Sequence, residues 1–111
     1  AYAVGQTMKS LLSISKRMSM PIVVLCQINR VGGAEEKPKL VHIRDSGEIE
    51  QDSSTIILAR SLDETRRAIV LDVAKNRVVP RFGEVVVERE NGSARLREMG
   101  AHEVSAVARR R

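Results

Sequence analysis

Ile22-Val23-Val24-Leu25-Cys26, five apolar residues in a row, stand between Pro21 and Gln27. A short run that is apolar on both sides, bounded by a helix breaker and a polar group, is the pattern of a strand buried in a parallel sheet with helices on both faces. Upstream, residues 4–20 put Val4, Met8, Leu11, Leu12 and Met18 at helical spacing, with Lys9, Ser13, Lys16 and Arg17 on the other side. Met20 precedes Pro21, whose ring disfavours the helical conformation of the residue before it, so the helix is expected to stop there. Helix followed by buried strand is the order of an α/β fold. Inside the run, Cys26 is expected to behave as a small buried hydrophobe, not as a nucleophile served by His42.

Downstream of the run, Gly32, Gly33, Glu35, Glu36, Lys37, Pro38 and Lys39 mark a solvated connection. It leads to His42-Ile43-Arg44-Asp45-Ser46-Gly47-Glu48-Ile49-Glu50-Gln51-Asp52-Ser53, a polar stretch between two β-like runs that suits a binding loop at the mouth of a sheet. A short helix over residues 48–52, capped by Ser46, is expected within it. Residues 55–60 and 67–74 then read as strands joined by a turn over 61–64. Residues 82–89 and 94–99 flank Asn91-Gly92, a strong hairpin signal. The second half is therefore expected to be β-rich and partly antiparallel. Residues 101–111 alternate small and basic side chains and read as a frayed helix or basic tail.

With 111 residues, 42% of them apolar and 30% charged, the chain has the length of one domain with a modest core. Its net charge of +5 permits a polyanionic partner. A lone cysteine excludes an internal disulfide and fits a reducing compartment, and no apolar run reaches the roughly 20 residues of a membrane helix. These features lead to the expectation of a cytoplasmic protein.

Several chemistries are set aside on the same footing. Cys26, His42 and His102 lack zinc-ligand spacing, so no metal site is expected. The Gly-Lys-Ser/Thr of a phosphate-cradling loop does not occur in the 111 residues. Only Tyr2 and Phe82 are aromatic, which disfavours base stacking and leaves phosphates as the target if nucleic acid binds. Gln27 falls where α/β sheets present ligand-contacting groups, at the carboxyl end of a strand. A neutral amide there suits sensing a phosphate or orienting a water, and equally suits capping the loop. Lys75 and Arg77 stand two apart at the end of the residue 67–74 strand, and in extended chain they share a side. Such a pair reads as a phosphate clamp or as a solvated strand end.

Three segments, Pro21 through Arg30, Ile43 through Asp52, and Ala74-Lys75-Asn76-Arg77, taken together resemble the C-terminal motor domain of bacterial replicative DNA helicases of the DnaB type. The middle one is the most specific. The resemblance implies an α/β, RecA-like P-loop NTPase fold, here partial, with a central β-sheet, flanking helices and a C-terminal β-hairpin. It makes residues 1–100 the C-terminal half of the motor and residues 101–111 a basic tail. It implies an ATP-dependent helicase that unwinds duplex DNA by translocating on single-stranded DNA as a hexameric ring, with ATP and Mg²⁺ as cofactors and primase and a helicase loader as partners. By matching position, Gln27 senses the terminal phosphate, Lys75 and Arg77 reach the neighbouring subunit's nucleotide, and Arg44, Asp45 and Gly47 face the DNA backbone. The family's phosphate-cradling loop and magnesium-binding acidic strand precede the helix over residues 4–20, so the chain alone is expected to be inactive. Arg44-Asp45 stands where the family usually has Arg-Glu, and Val78-Val79-Pro80 replaces its customary Asn-Gly turn. Two other readings share part of this pattern: a RecA-like ATPase of the recombination, repair or clock-protein type, and a non-catalytic, truncated helicase-like binding module.

Overall fold

In a computed structural model, residues 2–27, 39, 46–62 and 67–109 are described. The chain divides into two units, residues 1–54 and residues 55–111.

The first unit is built on helix α1 (Tyr2–Met18) and helix α2 (Ser46–Asp52). Val4, Met8, Leu11 and Leu12 of α1 are half-buried and Lys9, Ser13, Lys16 and Arg17 exposed, as the periodicity predicts, whereas Met18, expected on the apolar face, is 64% exposed at the helix end and Ile14 is half-buried in addition. The helix stops short of the proline by a device the sequence does not advertise. Ser19 takes the left-handed conformation (φ 49°), the Met20 N–H donates to the Ser15 carbonyl at 3.0 Å, and the Ser15 hydroxyl donates to the Met20 carbonyl at 2.6 Å. This is a Schellman-type cap with serine in the place that glycine usually fills. Helix α2 packs on α1 through buried Ile49 and through Gly5, where a Cβ would meet the Glu48 side chain at 3.0 Å. Glycine at position 5 thus permits the close approach. Lys9 Nζ lies 3.6 Å from Glu48 Oε2 and 3.8 Å from Asp52 Oδ2, so one ammonium pairs with two carboxylates of α2.

The apolar run at residues 22–26 departs from expectation. Residues 21–27 form no strand; Val23 is 86% and Leu25 93% exposed, and Cys26 is exposed as well. The expected buried strand and buried cysteine are therefore both corrected. Backbone polar groups and apolar side chains of a central strand are satisfied only by neighbours on either side, and no described residue pairs with this run.

The second unit is a four-stranded antiparallel meander in the order β1-β2-β3-β4, with β1 Thr55–Ser61, β2 Ala68–Asn76, β3 Gly83–Arg89 and β4 Leu96–Glu98. Its strands follow the predicted runs closely, and the sheet is antiparallel throughout. The alternation along β1 buries Ile56 and Leu58 and exposes Thr55, Ile57 and Ala59. Helix α3 (Ala101–Arg109) packs Val104 and Val107 onto a cluster of Leu62, Ala68, Val70 and Met99. Of the segment expected as a frayed helix or basic tail, residues 101–109 form this helix, which packs on the core.

Glu103 anchors that helix. Its carboxylate accepts the Gly100 N–H and the Arg97 guanidinium, with Arg97 Nη2 at 2.7 Å. Arg97 Nη2 also donates to Glu88 at 2.6 Å, and Glu88 in turn pairs with Arg67 at 3.0 Å, so one chain of charges joins all four groups. The Arg97 hydrogen bond, followed by the Gly100 N–H, holds the Glu103 carboxyl below its ordinary pKa. The β3–β4 turn uses Gly92 at φ +71°, while Asn91 keeps a negative φ, so the connection is a longer loop and not the two-residue type that Asn-Gly favours.

Candidate functional site

Strand β2 carries two of the candidate cations to its end. Its register with β1 shifts between Ile56 and Ile57, which sets Lys75 opposite Ile56 and Asn76 opposite Thr55. Ala74 is the extra residue of this bulge, a feature that redirects the side chains following it. The strand ends at Asn76, and Arg77 lies in the bend that follows. The extended-chain reasoning that aligned Lys75 with Arg77 therefore stops one residue short of Arg77. Lys75 is half-buried and Arg77 exposed.

The connection from β2 to β3, residues 77–82, is held in shape by Asn76. Its Nδ2 donates to the Arg81 carbonyl and its Oδ1 accepts the Val79 N–H, both at 3.4 Å. Within the loop the Arg81 N–H donates to the Val79 carbonyl at 2.6 Å, a tight turn around Pro80, whose fixed φ suits it. Residues 75–82 carry Lys75, Arg77 and Arg81 and no acidic side chain. Val78 (76%) and Phe82 (66%) are left in solvent beside these cations.

The remaining candidates belong to the first unit. Gln27 is exposed and follows the unpaired apolar run. Gly47 lies in the first turn of α2, exposed, with none of the described residues within 4 Å of where a Cβ would stand. Arg44 and Asp45 lie outside the described residues. Gln27 and Gly47 are thus in one unit, Lys75 and Arg77 in the other.

The donor set fits part of what an ATPase requires. Two or three cations at a strand end match the charge of a triphosphate, whereas among the described residues no group of three or more His, Cys, Asp or Glu could hold a metal ion. Asn76 is the residue that sequence reasoning passed over. Its signal was present, since asparagine after a strand is a turn former whose side chain bonds nearby backbone.

Residues 1–98 match the family model described as "DnaB-like helicase C terminal domain". The chain belongs to this family. The fold class is accordingly α/β and RecA-like, and all three quoted motifs fall inside the DnaB-like range. Two curated relatives carry the name replicative DNA helicase DnaB. The one from Treponema pallidum (strain Nichols) is 36% identical over 75 residues, 67% of this chain and 16% of that protein. The one from Mycobacterium leprae (strain TN) is 30% identical over 94 residues, 80% of this chain and 14% of that protein. The DnaB-like chain thus spans about a sixth of the length of either relative or less. Helix α3 lies beyond the matched range, yet supplies part of the core on which β2 and β3 rest.

Proposed function

We propose that this chain is the C-terminal half of the motor of a replicative DNA helicase, a cytoplasmic enzyme that unwinds duplex DNA by ATP-driven movement along single-stranded DNA. The observation that carries the reading is Lys75-Asn76-Arg77 at the end of β2, within the range matched by the DnaB-like family. In this reading the complete protein is a hexameric ring. Lys75 and Arg77 of one subunit reach the terminal phosphates of the nucleotide held by the next, and Gln27 senses the terminal phosphate. Arg44, Asp45 and Gly47 contact the DNA backbone, and primase and a helicase loader dock on the assembly. Such a division suits phosphoryl transfer, which needs positioning and charge neutralisation more than covalent help. An arginine supplied in trans also couples hydrolysis to the neighbour's position, and identical head-to-tail interfaces give every site one such arginine. A guanidinium serves better than an ammonium because its planar fork holds phosphate oxygens bidentately.

The 111 residues contain no Gly-Lys-Ser/Thr cradle, so the test uses the complete protein that carries this chain. Arg77→Ala is expected to lower the turnover of ATP by roughly 10³-fold while nucleotide binding changes little, because the arginine acts on charge that develops in the transition state. Mixing this variant with one crippled in its phosphate-cradling loop is expected to restore part of the activity. Unchanged turnover in Arg77→Ala removes the motor role, and mixed rings as inactive as either parent, with subunit exchange confirmed, remove the action in trans.

A further inference from the structure

The loop that presents Arg77 contains no glycine and exposes Val78, Val79 and Phe82, so neither local flexibility nor burial of its own side chains explains its shape. What fixes it lies one residue upstream. Asn76 is the last residue of β2, half-buried, its backbone held by pairing with Thr55 of β1. From that fixed point the amide reaches both limbs of the loop, accepting from Val79 N–H and donating to Arg81 C=O. A backbone N–H can only donate and a carbonyl can only accept, so these two partners dictate which end of the amide faces which limb. No other side chain of this size offers a donor and an acceptor on one rigid plane. Aspartate has only acceptors at neutral pH, and its second oxygen confronts the Arg81 carbonyl; alanine has neither.

We infer that Asn76 is a positioning residue for Arg77, its amide clamping residues 79 and 81 so that the arginine leaves β2 in one fixed direction. The inference rests on the reading of Arg77 as the arginine supplied to a neighbouring nucleotide. The turn at Pro80, closed by the 2.6 Å bond from Arg81 N–H to Val79 C=O, keeps the two clamped groups adjacent, so one amide suffices for both. With the clamp released, residues 77–82 gain freedom between the end of β2 and Gly83, which is held in the sheet opposite Val73. Arg77 keeps its charge but samples many directions, and a displacement of about 1 Å at a catalytic group can lower turnover by about 10²-fold.

The test has a structural arm and a kinetic arm. In the 111-residue chain, amide hydrogen exchange at Val79 is expected to quicken at least about tenfold in Asn76→Ala, with exchange at Val70 in the core unchanged. Asn76→Asp, which keeps the acceptor for Val79, is expected to retain part of that protection. Val79 exchange equal to the parent's in Asn76→Ala overturns the clamp, whatever the enzyme does. In the complete protein, Asn76→Ala is expected to lower kcat for ATP by roughly 10- to 100-fold with KM nearly unchanged, and Asn76→Asp by less. The double variant Asn76→Ala with Arg77→Ala is expected to be no slower than Arg77→Ala alone, because a residue that acts through the arginine has nothing left to position. Losses that multiply in the double variant overturn the positioning role and make Asn76 a structural residue only. Parent-like turnover in Asn76→Ala beside a crippled Arg77→Ala overturns the clamp's role and leaves the arginine reading standing. Parent-like turnover in Arg77→Ala overturns the arginine reading, and this inference with it.

Discussion

Residues 22–26 and residues 69–73 are nearly the same in composition, Ile-Val-Val-Leu-Cys against Ile-Val-Leu-Asp-Val, and end in opposite states. The second run lies in β2, paired with β1 on one side and β3 on the other, and contains Val70 at 1% exposure. The first has no partner among the described residues and leaves Leu25 at 93%. The apolar run that is polar-interrupted, by Asp72, is the one that becomes a strand. Local β propensity is thus permissive only: what makes a central strand is the pair of neighbours that satisfy its backbone and cover its side chains. For β2 those neighbours are adjacent in sequence, each reached by a short connection.

The comparison sharpens most under a buried charge. Val70→Asp places an unpaired carboxylate in the cluster of Leu62, Ala68 and Met99, and is expected to destabilise the chain by about 3 kcal/mol or more. Val24→Asp, in the unpaired run, is expected to change stability by less than about 0.5 kcal/mol. Urea unfolding followed by far-ultraviolet circular dichroism checks both. Equal losses at the two positions mean that residues 22–26 are paired after all, and the contrast disappears.

A smaller effect is expected on association. An exposed apolar run lacking partners is a surface on which a second copy can add, and the 111-residue chain is expected to self-associate through it in the micromolar range. Replacing Val23 and Leu25 with lysine is expected to raise the concentration needed for association by at least about tenfold, the equivalent of removing one well-buried aliphatic contact. Sedimentation equilibrium measures this. Association that persists unchanged in the lysine variant assigns it to another surface, such as exposed Val78 and Phe82.

The least effect belongs to the charge chain that fastens α3. Glu103 has a folded pKa lowered by Arg97 and the Gly100 N–H. Its stabilisation is therefore fully present above the unfolded carboxyl value of about 4.3 and is lost as pH falls through the lowered folded value. Arg97 is pushed the other way, further above an already high value, by Glu103 and Glu88, and stays charged throughout. Because these groups are solvent-exposed, Glu103→Gln is expected to lower Tm by about 2 °C or less near neutrality, with the difference vanishing in acid. Thermal scans of both proteins across the acid range test the sign. A gap that widens in acid contradicts it.

How much of the molecule was legible in advance depended on how far its determinants lay apart. Helix α1 was readable because the 3.6-residue stripe and the Pro21 stop are local, and β1 to β4 were readable because alternation and turn residues recur every few positions. The Ser19 cap was not, since serine in the left-handed conformation is uncommon and is held by Met20 bonds that only the folded helix end provides. The burial of residues 22–26 failed for the opposite reason: composition described what the run wants and could not say whether partners exist. At the candidate site, the motif Lys75-Asn76-Arg77 named the cations. The bulge at Ala74, the bend at Arg77 and the amide clamp of Asn76 depend on strand register and on groups three to five residues away meeting in space.

By itself, then, the sequence determined the family, the periodicities of helices and strands, the +5 charge and the residue types available for chemistry, because each of these is a property of composition or of near neighbours along the chain. Tertiary structure alone decided which apolar run is covered, that residues 101–109 pack on the core, and that Arg77 falls in the bend after β2 and not in the strand. Burial, strand pairing and side-chain clamps are made between distant or differently folded segments, and their free energy exists only once those segments are brought together.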